Sequence, residues 1–563
     1  MRRNVRWLIF GMTAAAFGSL AEAGWTDGKN AANVMGQPDF ASGQDNQGFA
    51  SPTAATLNGP QGVALDPTSG KLFVCDSSNS RVLRYPSPVA FVTGGSAEAV
   101  FGQADFTTVT AGIQRNKFNN PAGITLDGAG NLWVADNINN RVVMFQNAAT
   151  KASGADADGL LGAVTFIVNP SGNTDGQMRQ PQDIAVDGSG RVWVADWQNH
   201  RILRFDNGAA DAIANAEDAA QNLALADGVL GQSGFGLAQV NRGSGTPVRN
   251  GMNLPWKIEI DASGDLWVAD NSNNRVLYFI DPAAKANGAD ADGLLGQVNF
   301  TTNAGPAAQR DRFWGTRGLA VDSRGALWVA EEFNHRVVRF DGAAAAALAN
   351  AADLVENVSL PDGVIGQADF VTNAQNNIGS AVISPWDVDT SAYGDVWVAQ
   401  KGSVNGGHRV SRFTPDEDSY RSDGSIGAKE AGLKGNQVYN LTGGGQKVTV
   451  FSEDRKKVAV FARGGNDGEY ADDFRILGTE NNRDFKVKYY ATSSGERNIT
   501  ADVKVGGFIE RAVLLGQNRD YLLEVKPKAS TKGKVKKFNL SFGIVSLRGN
   551  SEDRVKCTVK TRK

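Results

Sequence analysis

Residues 60–413 are built from short runs in which apolar and polar positions alternate, broken by turns rich in Gly and Asp. Five copies of one phrase read GPQGVALDPTSGKLFVCDSSNSRVLRY, NPAGITLDGAGNLWVADNINNRVVMF, QPQDIAVDGSGRVWVADWQNHRILRF, LPWKIEIDASGDLWVADNSNNRVLYF and GTRGLAVDSRGALWVAEEFNHRVVRF. A worn sixth copy reads SPWDVDTSAYGDVWVAQKGSVNGGHRVSRF. The period of two predicts three half-buried antiparallel strands per copy, called a, b and c in chain order. A second phrase interleaves with the first: VMGQPDF (34–40), VFGQADF, LLGAVTF, VLGQSGF, LLGQVNF and VIGQADF (364–370). It predicts a fourth strand, d.

A lone four-stranded unit cannot bury its own faces, so the units must stack. Six of them closing radially give an all-β fold, a six-bladed β-propeller spanning residues 24–415. The repeat array begins on a d phrase and ends on a c strand. Residues 34–40 are therefore expected to pair with residues 409–413 and close the ring. Strand direction alternates, so the b–c turns and the d–a loops share one face of the ring, called X. The a–b turns and c–d connections share the opposite face, Y.

The phrase after strand b is Asp-x-x-Asn-x-Arg. It holds Asp76 and Arg81, Asp136 and Arg141, Asp196 and Arg201, Asp270 and Arg275, with Glu331 and Arg336 in the fifth copy. The sixth departs, with Gln400, an insertion and His408-Arg409. These residues resemble NHL repeats. Recurrence in nearly every blade points to a structural role, an acid and an Arg paired across a turn and bonding loop carbonyls.

After residue 415 the repeat stops and the charge changes. The whole chain has a formal net charge of −3, yet residues 420–563 carry about eleven more basic than acidic side chains. Runs such as KVTVFS, FKVKYYA and DYLLEVKPK alternate again, which predicts a basic β-sandwich over residues 436–563. The stretches GNQVYNLTGGGQ, NDGEYADDFRILGT and NITADV resemble immunoglobulin-like modules of bacterial exported proteins, which implies spacing or attachment. Residues 416–435, rich in Gly, read as a linker. Residues 1–23 pair Arg2, Arg3 and Arg6 with a short apolar stretch and Ala21-Glu22-Ala23, the form of a secretory signal peptide. The mature chain is expected to be periplasmic, extracellular or on the cell surface, with no transmembrane span.

Candidate chemistry is sparse. Cys75 and Cys557 fall in different domains and read as buried small residues. His200, His335 and His408 all precede the repeat Arg, and a shared metal at that position is the lesser reading. Asp156/Asp158 and Asp290/Asp292 resemble half of a calcium loop but lack its later ligands. No phosphate-binding Gly loop or nucleophile turn is present. Ala-rich inserts at 209–225 and 343–354 predict short helices between strands c and d.

Strand a lines a propeller's channel, so its first residues ring the mouth on face X. They are Gln61, Ala122, Gln182, Trp256, Arg317 and Trp386, followed by Gly62, Gly123, Asp183, Lys257, Gly318 and Asp387. Variation against a constant frame marks this ring as the place for binding. Gln61, Gln182, Asp183, Trp256, Lys257, Arg317, Trp386 and Asp387 are the expected contacts for a protein or glycan ligand. The alternative for the two Trp residues is that they plug the channel. No catalytic residue, cofactor or metal ligand is assigned, and no nucleic acid is expected; an acidic wall polymer suits the basic domain. Two other readings stay open: a hydrolase or lyase with a metal in the channel, for which Asp183, Asp387 and His200 are the candidates, and an architectural surface protein.

Overall fold

The computed structural model describes residues 25–86, 92–217, 223–305, 308–352, 359–375, 381–402, 406–416, 422–427, 447–452, 458–466, 472–479, 481, 484–492, 497–505, 508–513, 517–528, 536–548 and 552–561. The expected signal peptide and much of the expected linker lie outside them. Six four-stranded antiparallel sheets form in the expected order. Their inner strands are Pro60–Leu65, Ile124–Leu126, Pro181–Val186, Pro255–Ile260, Thr316–Val321 and Pro385–Thr390. Each touches the next, and the last returns against the first, so the sheets form a closed all-β ring.

Closure occurs where the order of phrases put it. Asn33–Met35 pairs with Arg409–Phe413, Val34 opposite Ser411 and Met35 opposite Val410. Both residues are fully buried. Strand d is shorter than its phrase, however, because Gly36 turns the chain at φ 84. A Cβ there would lie 2.5 Å from Leu57 Cδ1, so only Gly fits the turn.

Hydrophobic wedges sit between sheets. Trp133, Trp193, Trp267, Trp328 and Trp397 of strand b are at most 2 % exposed. Four of their indole N–H groups are satisfied by the Asp of the a–b turn, as in Trp133 Nε1 to Asp127 Oδ2 at 2.9 Å. Each such ring buries on the order of 200 Å² against the neighbouring sheet, a large share of the packing energy.

The repeat acids and arginines form buried clamps. In the third sheet Asp196 accepts from Arg201 Nε at 2.7 Å, from Asn199 at 2.8 Å and from the Arg179 backbone N–H at 2.7 Å. Arg201 then donates to the carbonyls of Asn173, Thr174 and Gln177, fixing the d–a loop to the b–c turn. The pairs Asp76–Arg81, Asp136–Arg141, Asp270–Arg275 and Glu331–Arg336 repeat this with fully buried side chains.

The histidines have a second structural use. Each occupies a left-handed turn position, and its Nδ1 accepts a backbone N–H of the following sheet: His200 from Leu254 at 3.1 Å, His335 from Ser384 at 3.0 Å, His408 from Gly59 at 3.0 Å. Ser80, Asn140 and Asn274 do the same through side-chain oxygens to Asn120, Gln180 and Gly315. One hydrogen bond thus staples every adjacent pair of sheets. Each of the three rings thus serves a different boundary between sheets.

The Ala-rich inserts form helices Gly208–Glu217 and Ala343–Ala352. Each packs on the outer strand of the preceding sheet, where Asn215 donates to Leu160 and Ala163 carbonyls and Asn350 to Leu294. They cover sheet edges on the side of the c–d connections. Asp158 and Asp292 bond Lys151 and Lys285 and the backbone of Gln146 and Ile280, so those phrases are turn clamps.

The C-terminal unit has two five-stranded sheets with a shared core of Val460, Phe485, Val487 and Leu523 against Phe474, Leu540, Phe542 and Val555. Lys447–Ser452 pairs in parallel with Glu552–Thr561. Ser422–Gly427 corrects part of the linker reading: it is a strand paired with Val458–Asn466. Its one apolar residue, Ile426, leaves no alternation to read. Cys75 and Cys557 are free and buried. No described helix is long and apolar enough to cross a membrane.

The two units meet on face Y, at the a–b turn of the sixth sheet. Arg548 lies over the Tyr393 ring at 3.8 Å and pairs with Asp395 at 3.2 Å, while Tyr393 Oη donates to Asp473 at 3.0 Å. That placement leaves face X uncovered by the described part of the C-terminal unit.

Candidate functional site at the channel mouth

The equivalent second positions of strand a are Gly in three sheets and charged in the other three. Gly is required at 123, where a Cβ would lie 2.2 Å from Asp183 Oδ1 and 2.5 Å from the Gln182 carbonyl. The charged three meet across the axis. Lys257 Nζ lies 3.4 Å from Asp183 and 3.2 Å from Asp387. Each carboxylate also ties into the next sheet, Asp183 accepting from Ile258 N–H at 3.0 Å and Asp387 from Val63 N–H at 2.9 Å. Burial raises the pKa of both carboxyls against the pull of Lys257. Burial also works against the Lys257 ammonium, but Asp183 and Asp387 outweigh it and raise its pKa. Two residues further along the same strands, burial raises Glu259 well above its usual range and Asp389 to about 6.

Above this triad the mouth is closed. Trp256 and Trp386 are each 8 % exposed and pack edge to face at 5.0 Å. The space left among Gln61, Gln182, Trp256, Lys257 and Trp386 is about 10 Å³, room for roughly one water. Of the expected contacts, Gln61, Gln182, Asp183, Lys257 and Asp387 come together but form the floor, each at most 7 % exposed. Trp256 and Trp386 fill the opening rather than ring it.

Arg317 stands over that plug. Its Cζ is 3.6 Å from the Trp256 ring centre and 4.4 Å from that of Trp386. Glu332 orients it, accepting from Arg317 Nε at 2.7 Å, from Trp386 Nε1 at 3.0 Å and from Ser384 Oγ at 3.4 Å. Lys401 Nζ is 3.5 Å from the Trp386 ring centre. Trp197 packs on Trp256 at 5.5 Å.

Glu332, Lys401 and Trp197 escaped the sequence reading. All three occupy one equivalent position, the residue directly after strand b, which reads Ser77, Asn137, Trp197, Asn271, Glu332, Lys401 around the ring. In two other sheets that residue is spent on the next blade, Asn137 donating to Pro181 O at 3.1 Å and Asn271 to Thr316 O at 2.8 Å. The signal that could have found the rest was available: this position varies as widely as the first residue of strand a.

Among the described residues no three His, Cys, Asp or Glu side chains are grouped to hold a metal ion. The enzyme candidates Asp183 and Asp387 are engaged with Lys257, and His200 with Leu254.

Residues 57–85, 118–145, 178–205 and 252–279 match the NHL repeat. No curated protein matches the chain. Similar solved structures include a streptogramin B lyase, at 12 % identity over 65 % of this chain and 94 % of that one, TM-score 0.35. A virginiamycin B lyase from Staphylococcus aureus is 13 % identical over 63 % and 84 %, TM-score 0.33. A putative gluconolactonase is 12 % identical over 68 % and 97 %, TM-score 0.34. The NHL-repeat matches and the ring of four-stranded sheets together make this an all-β protein with a β-propeller that carries NHL repeats.

Proposed function

We propose that the chain is an exported ligand-binding protein: a six-bladed NHL propeller that takes a protein or glycan on face X, over the closed mouth. Its basic immunoglobulin-like sandwich serves as spacer or attachment module on the other side, with an acidic wall polymer as its partner. One observation carries the reading. Departures from sixfold regularity collect on one arc of face X, where Trp197, Trp256, Arg317, Glu332, Trp386 and Lys401 replace the small or self-satisfied residues of the other blades. Indole rings beside fixed charges suit a sugar ring or an apolar side chain carrying polar groups. Phe333, 42 % exposed, extends the apolar surface outward.

The test is a set of glycan and peptide arrays probed with the wild type and with a Trp197→Ser/Phe333→Ser variant, both in b–c turns of face X, with melting temperatures compared. The reading expects bound array members that the variant loses. Binding that the variant keeps in full rules out face X as the working surface.

A further inference from the structure

Within that arc the positive charge exceeds what the protein itself uses. Among the described residues Glu332 is the one carboxylate bonded to Arg317, and its oxygens are also shared by Trp386 and Ser384. Arg317 Nη1 is buried and meets no hydrogen-bond acceptor among the described residues. Among the described residues no acid forms an ion pair with the Lys401 ammonium; its neighbour is the Trp386 ring. Its backbone N–H is bonded to the Ser384 carbonyl at 3.3 Å, so the end of strand b sets where the side chain starts. Both cations lie within 4.4 Å of the same ring centre. Two positive groups against one carboxylate leave a net charge of about +1 on an indole surface.

From this placement, and resting on the face-X reading above, we propose that Arg317 and Lys401 bind the carboxylate of an aromatic or sugar acid over the Trp256–Trp386 plug. A monoanion matches the surplus charge, whereas a phosphate dianion would overshoot it. A planar carboxylate also fits a guanidinium edge and an ammonium at once. No bond is made or broken; the site positions an acid. Lys401 behaves as a cation short of a partner should: burial first, then the nearby Arg317, hold its pKa down to about 8 against the opposing pull of Glu332. A bound carboxylate supplies the missing counter-charge.

The experiment uses the full chain and ligand pairs that differ only in charge: indole-3-acetate against its amide, and methyl glucuronoside and an N-acetyl dipeptide acid against theirs. The last two arms separate a sugar acid from a peptide terminus. Titration calorimetry is expected to show the acids binding in the millimolar range, at least about tenfold tighter than the amides. Lys401→Gln should abolish the preference and Lys401→Arg retain it, with melting temperatures reported for each. As a reading that needs no variant, the acids should slow acetylation of Lys401 in the wild type, followed by mass spectrometry. Equal affinity for acids and amides, no saturable binding by any acid, an unchanged Lys401→Gln, or tighter binding of phenyl phosphate than benzoate would each overturn the assignment. If array ligands bind face X and Lys401→Gln binds them unchanged, the carboxylate site falls while the face-X reading stands.

Discussion

The sixth sheet carries a buried arginine without the acid its sisters have. Arg409 is fully buried, and its Nε meets Gln400 Oε1 at 3.3 Å. Its other nitrogens donate to the Phe40 and Ala381 carbonyls. Burial depresses the Arg409 pKa to about 10, roughly 3 kcal/mol of desolvation left uncompensated at about 1.4 kcal/mol per pH unit. Gln400→Glu places a carboxylate where Glu331 stands in the fifth sheet, 2.7 Å from Arg336 Nε. The new carboxylate has its own desolvation, as the burial-raised pKa values of Asp136, Asp196 and Glu331 show, so the net gain is about 1–2 kcal/mol. Ser411, which now accepts from Gln400 Nε2 at 2.7 Å, can turn its hydroxyl and donate. The reverse change, Glu331→Gln, should cost about 3–5 kcal/mol by stranding the buried Arg336. Urea unfolding at pH 7 followed by Trp fluorescence reads both, and the gain should vanish in an Arg409→Met background. A destabilised Gln400→Glu, or a neutral Glu331→Gln, refutes the idea that these arginines need their acids.

Removing residues 24–37 deletes the closing strand and its fully buried Val34 and Met35, at about 1.5–3 kcal/mol each; the ring should lose more than 3 kcal/mol, and a truncated protein melting with the intact one contradicts closure. Burial lowers the pKa of the three staple histidines below 6.5, so as pH falls through about 6.5 the unfolded chain takes up protons first and stability begins to erode, the loss continuing until the folded histidines protonate. Replacing all three with Asn, the residue used at 140 and 274, should flatten that loss between pH 7 and 5 in chemical denaturation; identical slopes would contradict it. Lys257→Met strands Asp183 and Asp387 and should cost about 3–5 kcal/mol at pH 7. Both carboxyls have raised folded pKa values, so that loss should shrink as they protonate on going to pH 5, and a deficit independent of pH would argue against the triad. Arg548→Ala should loosen the C-terminal unit without touching face X, seen as faster hydrogen exchange at the sixth a–b turn, and unchanged exchange there would dismiss the contact.

Period and recurrence made the ring legible, because alternation is what a strand between two neighbours must show. The closing strand followed from the order of phrases alone. Where alternation is absent, reading failed: Ser422–Gly427 pairs through its backbone and has only Ile426 to betray it. Strand d came out too long because the Gly36 turn, not the apolar pattern, ends it. At the mouth, the first residues of strand a were found by comparing equivalent positions. Lys401 was missed because the sixth copy looked merely worn, and its partner Trp386 lies fifteen residues away in sequence. The closed floor was not readable either, since Lys257, Asp183 and Asp387 meet only once three sheets face one another across the axis.

Oxidative footprinting with an array-selected ligand tests the central claim most directly. Trp197, Phe333 and Trp314, whose ring centre lies 5.3 Å from that of Phe333, report face X, and Tyr393 reports face Y. The account predicts that the ligand protects the first three and leaves Tyr393 unchanged. Protection confined to Tyr393 or to the C-terminal unit would contradict it.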